Sequence, residues 1–233
     1  MAQREPDAWN EIVRTAAAVR AEPASAGNSV HATLRRPRFS RVVVGSSFIG
    51  AVLAVCAFSL LESATPVVAD YGADATLFSL TNQDRASNGV RSLSFSGTLQ
   101  NIGEGAPYGC GGMTVDGRSV DMIRRGYFSH VIEGCGVYVF SMMQAYGVRY
   151  LSAGENIGWV DNETSGGSAA SYINGQFMNS PEHRDNILNG NYTAMGAGSA
   201  YASSWTCGSC GGTFRPTRGT SDRSRVSCAW WRR

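Results

Sequence analysis

The stretch Phe177–Leu188, FMNSPEHRDNIL, contains one of only two histidines that follow the hydrophobic segment of this chain. Ser180 suits the N-cap of a helix, Pro181 its first position and Glu182 its first turn. His183 then falls at the third helical position, where the helix dipole favours the neutral imidazole. Because neutral imidazole binds metals and accepts protons, this stretch predicts a functional histidine at a helix N-terminus.

The other histidine closes a second short motif, Tyr127–His130, YFSH. Between the two histidines, the sequence Gly154-Glu155-Asn156 supplies a carboxylate. A buried carboxylate needs a partner, so Glu155 is expected to contact a histidine, a backbone amide or a metal ion. The plainer alternatives also stand: each imidazole ties down a loop or a cap, and Glu155 holds backbone amides at the start of a strand.

Hydrophobic spacing and helix stop signals predict helices over residues 75–85, 119–125, 138–146 and 168–178, before the one that begins at Ser180. Runs of small and apolar residues predict strands over 156–160, 195–202 and 226–231. Residues 101–117 are rich in glycine and are expected to form a loop. The mixture of helices and strands indicates an α/β (α+β) domain.

The N-terminal part divides at an uncharged segment, residues 42–61, which follows several arginines. Its length suits either a transmembrane helix or the hydrophobic region of a signal peptide. Residues 1–41 are then expected to be a cytoplasmic, disordered tail, and residues 70–233 an extracytoplasmic domain. Val67-Val68-Ala69 fits a cleavage site before Asp70, so secretion and anchoring by a single N-terminal span both remain open.

All six cysteines except Cys56 follow the hydrophobic segment. In an oxidising compartment, disulfides are the expected state. We expect a bridge between Cys110 and Cys135 and another within the C-terminal set of Cys207, Cys210 and Cys228. A zinc site on those last three cysteines is the less favoured alternative.

Composition excludes one broad class of function. The chain is 43% hydrophobic and 16% charged, with a formal net charge of +2. It shows no basic stripe interleaved with aromatic residues, so no nucleic-acid partner is expected.

Five stretches together resemble the CAP superfamily of cysteine-rich secretory, antigen 5 and pathogenesis-related proteins, in its bacterial branch with SCP-like domains. The resemblance spans about residues 75–202 and is carried by residues 77–85, 121–130, 145–157, 177–188 and 195–198. It implies a three-layer α-β-α sandwich around a largely antiparallel sheet, here preceded by an N-terminal hydrophobic helix. The glycine- and cysteine-rich insert at 101–117 and the cysteine-rich C-terminal extension depart from the family pattern.

The resemblance also implies a central cavity with two histidines and two acidic residues, which binds zinc in some members. His130, Glu155 and His183 would fill three of those places, and the second acid has no clear match. Glu182 stands where the bacterial motif usually has glycine, and it either supplies this acid or faces solvent. On this basis His130 and His183 are candidate metal ligands, with zinc as the candidate ion and no cofactor that the sequence requires.

Two functions follow from these expectations. The first is a non-enzymatic binding module of the cell envelope, whose partner is a lipid, a glycan or a protein. The alternative is a metal-dependent hydrolase of peptide or cell-wall bonds, in which Glu155 is the base for a zinc-bound water. The membrane is a further partner if the N-terminal segment is not cleaved. Most members of the superfamily lack an established catalytic activity, which favours the binding module.

Overall fold

The computed structural model describes residues 66–163, 165–210, 212–214 and 223–233. The described helices are α1 Tyr71–Ser87, α2 Gly97–Glu104, α3 Arg118–Arg125, α4 Val139–Ala145, α5 Gly166–Asn179 and α6 Pro181–Leu188. The short strands are β1 Val68–Ala69, β2 Ser94–Phe95, β3 Pro107–Cys110, β4 Met113–Asp116, β5 Val131–Ile132, β6 Val137–Tyr138, β9 Trp205–Cys207 and β10 Gly212–Phe214. The long strands are β7 Ala153–Glu163, β8 Ala194–Ala202 and β11 Arg223–Arg232.

The main sheet has the strand order β1-β8-β11-β7, and β2 pairs with β8 beside this path. The pairings along the path are antiparallel, and only β2 runs parallel to its neighbour. Strand β11 therefore lies between β8 and β7 over most of its length. Strand β7 ends the path, so no described strand of this sheet pairs with one of its long edges.

Helices cover both faces of the sheet. Successive strand residues point to opposite faces, and the two core clusters follow that alternation along β8. Met195 and Ala197 pack with residues of α1 and α5, such as Leu77 and Ile173. Ala200 and Ala202 pack with residues of α2, α3 and α4. The molecule is thus a mixed α/β domain with a helical layer on each side of its sheet.

The predicted helices and strands are confirmed, but the prediction of a loop over residues 101–117 is wrong. Helix α2 runs to Glu104, because Leu99 and Ile102 are fully buried on one side of it. Strands β3 and β4 then form a hairpin whose turn uses Gly111 and Gly112, both with positive φ. The glycines mark this turn rather than an irregular segment.

Both expected disulfides are present. Cys110 is bridged to Cys135, which joins the β3–β4 hairpin to the turn between β5 and β6. Cys207 is bridged to Cys210. The alternative zinc site on the C-terminal cysteines is therefore wrong, since two of its thiols are oxidised.

The tail predicted over residues 1–41 and the hydrophobic segment 42–61 lie outside the described residues. Among the helices that are described, none is both long enough and apolar enough to cross a bilayer.

Candidate functional site

His130 and Glu155 are in direct contact. His130 lies in the loop between α3 and β5, and Glu155 lies in the buried first half of β7. The Nδ1 atom of His130 is 2.7 Å from Oε2 of Glu155. A carboxylate only accepts hydrogen bonds, so Nδ1–H of His130 is the donor. In the neutral imidazole the lone pair is therefore on Nε2.

Arg118 holds the other side of the same carboxylate. Its side chain is fully buried, and its Nε atom is 3.4 Å from Oε1 of Glu155. One terminal nitrogen of Arg118 donates to the Tyr127 hydroxyl at 2.8 Å, and the other donates to the Ser129 carbonyl. A single guanidinium thus fixes both Glu155 and the loop that carries His130.

An acidic residue that sequence reasoning did not select lies behind Arg118. The Tyr127 hydroxyl donates to Asp121 Oδ2 at 2.5 Å, and Arg125 Nε donates to Asp121 Oδ1 at 2.6 Å. Burial raises the pKa of Tyr127, so its phenol remains a donor. Arg118, Asp121 and Arg125 share one face of α3, and charged residues on a core-facing helix surface were the available signal.

His183 is held by Ser180, the residue that ends α5 and begins α6. Nδ1 of His183 is 2.8 Å from the Ser180 hydroxyl oxygen, which is 3.1 Å from Glu182 Oε2. The single hydroxyl proton goes to the carboxylate, so the oxygen accepts from Nδ1–H of His183. Ser180 is the N-cap as predicted, but its side chain makes no capping hydrogen bond to the backbone. It fixes the imidazole instead.

The neutral state predicted for His183 has burial rather than the helix dipole as its main cause. Burial lowers the pKa of His183 to about 4, and a positive charge on His130 lowers it further, while Glu182 opposes the shift. The ring of Phe177 stacks on His183 with centroids 5.1 Å apart, which accounts for part of the burial.

Strand β7 contacts both histidines, one through each of its faces. Glu155 points toward the layer of α3, where it meets His130. The next residue, Asn156, points to the other face, and its side chain donates to the His183 carbonyl at 2.9 Å. Asn186 in turn donates to Asn156 at 2.9 Å and so fixes α6 against the strand.

An apolar groove opens beside this strand. It has a volume of about 270 Å³, and its walls include Phe128, Ile157, Trp159 and Phe177. Its polar side is formed by Gln176, Ser180 and His183. The sequence motifs gave no sign of this groove, because its walls come from the His130 loop, β7 and α5.

Glu182 is exposed at the start of α6 and accepts from Ser180. Its position matches the solvent-facing alternative, and it reaches His183 through the Ser180 hydroxyl.

Within the described residues, no three His, Cys, Asp or Glu side chains gather to hold a metal ion. Both Nδ1 atoms and both Glu155 oxygens are engaged by protein groups, so only the two Nε2 atoms fit as ligands. That pair is incomplete for zinc, which takes at least three protein ligands.

The comparisons with known proteins agree with the motifs. Residues 121–210 match the model of the cysteine-rich secretory protein family, CAP. A Bacillus subtilis (strain 168) protein, described as uncharacterized protein YkwD, is 33% identical over 128 residues, or 54% of this chain and 42% of that protein. By these matches this chain is a bacterial CAP/SCP-like protein, similar to the CAP family over residues 121–210. It spans less than half the length of the curated relative that it matches.

Solved structures with some similarity to this CAP-domain chain include two further bacterial proteins. An extracellular protein containing an SCP domain from Bacillus anthracis is 23% identical, with 70% of this chain and 41% of that chain covered and a TM-score of 0.45. An outer surface protein from Borrelia burgdorferi is 10% identical, with 72% of this chain and 98% of that chain covered and a TM-score of 0.47.

Half-buried His183 gives a direct pH prediction. Because its folded pKa of about 4 lies below the usual 6.5, His183 should stay neutral down to about pH 5. As the pH falls, the unfolded chain binds this proton at a higher pH than the folded chain does. The contribution of His183 to stability should therefore be present above pH 6.5 and lost as the pH falls toward 4. An NMR titration of the ring protons, assigned with His183→Asn, measures this pKa. A midpoint near 6.5 would contradict the burial of the ring.

The buried ion pair gives a stability prediction. Arg118→Met should lower the free energy of unfolding by about 3–5 kcal/mol, because it leaves Glu155 buried without its guanidinium. The double variant Arg118→Met/Glu155→Met should lose less than the single one.

Chemical denaturation measures both variants of the buried pair. Arg124→Met is the matched control, since its pair with Asp116 is about half exposed and should change stability by less than about 1 kcal/mol. Equal losses for Arg118→Met and Arg124→Met would refute the role given to the buried pair.

Proposed function

We propose that this chain is an extracytoplasmic, non-enzymatic binding module of the cell envelope, which holds its ligand in the groove beside His183. The extracytoplasmic location is supported by the two disulfides, since such bridges form and persist in an oxidising compartment. The proposal that the chain binds a ligand rests on the groove.

The walls of the groove suit a ligand with an apolar body. Aromatic and aliphatic side chains form most of its lining, with polar groups only toward one side. Ligand sites usually combine such a lining with a few polar groups that orient the ligand. Of the lipid, glycan and protein partners expected from the sequence, a lipid-like chain fits these walls best.

The polar side suits a group that donates a hydrogen bond. His183 is neutral near pH 7, and its Nδ1–H is engaged by Ser180. The remaining Nε2 lone pair accepts a hydrogen bond rather than attracting an anion. A ligand hydroxyl or amide is therefore the expected partner of His183, and a carboxylate is not.

Filling the groove should abolish binding. Gln176 is exposed on α5 at the wall of the groove, so Gln176→Trp should block it with little effect on the fold. The probes are 1-hexanol and hexanoate, added to the full chain in lipid nanodiscs while the His183 ring signals are followed by NMR. Hexanol should shift these signals in the unmodified chain, and the shift should be lost in Gln176→Trp.

Ser171→Trp places the same side chain at an exposed position of α5 outside the groove. It should respond to hexanol as the unmodified chain does. An unchanged response in Gln176→Trp would place binding elsewhere. A response to hexanoate as strong as that to hexanol would refute the proposed role of the neutral imidazole.

The metal-dependent hydrolase remains a second candidate because of one observation. Carboxylate and hydroxyl partners hold Nδ1 of His130 and His183, which is how proteins orient histidine ligands toward a metal. Zinc there would need a ligand beyond the two imidazoles, and it would then supply an activated water. The residues of the chain would orient the two imidazoles, and Glu155 would fix His130 rather than act as the base.

Calorimetry of the full chain with zinc separates the two candidates. If zinc binds at this site, His130→Ala should abolish binding, and unchanged binding would place the metal elsewhere. A screen with peptide and cell-wall substrates, with and without zinc, should show no turnover for a binding module. Zinc-dependent cleavage that His130→Ala abolishes would replace the binding proposal with the hydrolase.

A further inference from the structure

A second cleft lies where the start of α2, the end of α4 and the end of β11 meet. Its volume is about 300 Å³. Ser96 and Thr98 line it from the α2 side, and residues 146–149 line it from the turn after α4. Arg149 and Arg232 both line this cleft.

The strand register explains why Arg232 reaches this cleft. Ala229 of β11 packs into the core formed with α1 and α5. Arg232 is three residues further along the strand, so its side chain points to the opposite face. That face carries α2 and α4, and Arg149 lies four residues after the last residue of α4.

Neither arginine has a carboxylate partner among the described residues. The other arginines of this helical layer, Arg118, Arg124 and Arg125, each form an ion pair. Arg149 is exposed and Arg232 is half-buried, and no acidic residue lines their cleft. Two cationic side chains in a cleft that no acidic side chain lines favour a bound anion.

We propose that this cleft binds a phosphate group. Guanidinium groups match phosphate oxygens in a bidentate geometry, and the hydroxyls of Ser96 and Thr98 add neutral donors. A phosphate offers more acceptor oxygens than a carboxylate, and its charge can balance both arginines. This site is separate from the groove beside His183 and does not depend on the function proposed for that groove.

The phosphate can come from solution or from a lipid headgroup, and the surroundings suit the second source. Phe95 is 54% exposed and precedes Ser96, while Leu151 is 75% exposed and lies two residues after Arg149. The Leu151 amide donates to the carbonyl of Arg233, next to Arg232. Exposed apolar side chains beside a cationic cleft are suited to a membrane surface.

The test measures the melting temperature of the full chain in an uncharged maltoside detergent. The added ligands are inorganic phosphate, short-chain phosphatidylglycerol, and chloride at matched ionic strength. A ligand that binds only the folded state stabilises it by RT ln(1 + [L]/Kd), so the melting temperature rises as the ligand concentration exceeds Kd. Arg149→Gln should weaken the apparent affinity about tenfold, and Arg149→Gln/Arg232→Gln should abolish the response. Arg184→Gln, an exposed arginine on α6, is the matched control and should behave as the unmodified chain.

A response to inorganic phosphate would show that the phosphate group alone suffices, and a response to phosphatidylglycerol alone would identify the headgroup as the source. The absence of any response beyond that of chloride would overturn the proposal. An equal response in the unmodified chain and the Arg149→Gln variant would also overturn it. Because Arg149 is exposed, the Arg149→Gln variant should fold normally. It therefore tests the proposal even if Arg232→Gln fails to fold.

Discussion

The buried ion pair between Arg118 and Glu155 is the contact on which the candidate site depends. Two charges removed from water are costly unless each has further partners. Glu155 finds one in His130, and Arg118 finds two in the Tyr127 hydroxyl and the Ser129 carbonyl. The need to satisfy these charges therefore sets the position and the tautomer of His130.

Strand β7 lies at the edge of the sheet, and this position allows a site to form beside the ion pair. A strand between two others would have its backbone covered on both sides, whereas the open edge of β7 lets a groove form against it. Glu155 and Asn156 point to opposite faces and recruit one histidine from each helical layer. The two imidazoles then differ in their contacts: the ring of His183 stacks on Phe177, while His130 contacts Glu155 and its side chain is about a quarter exposed.

Much of the fold could be predicted from the sequence, because periodic apolar residues and glycine stops mark the helices and the long strands. The helix that begins at Ser180 was predicted from its proline and its N-cap. Helix α2 was missed, because the glycines around it masked the spacing of Leu99 and Ile102. His130, Glu155 and His183 were candidates from their motifs, but Arg118 was not, since its partner lies 37 positions further along the chain.

The protonation of His130 tests the central claim most directly, because the proton position reports the contact with Glu155. Nitrogen NMR shifts of the imidazole in the full chain, recorded where the ring is neutral, show which ring nitrogen carries the proton. The account predicts the proton on Nδ1 in the unmodified chain and loss of that preference in Glu155→Ala. A proton on Nε2 in the unmodified chain would contradict the contact from which the site is built.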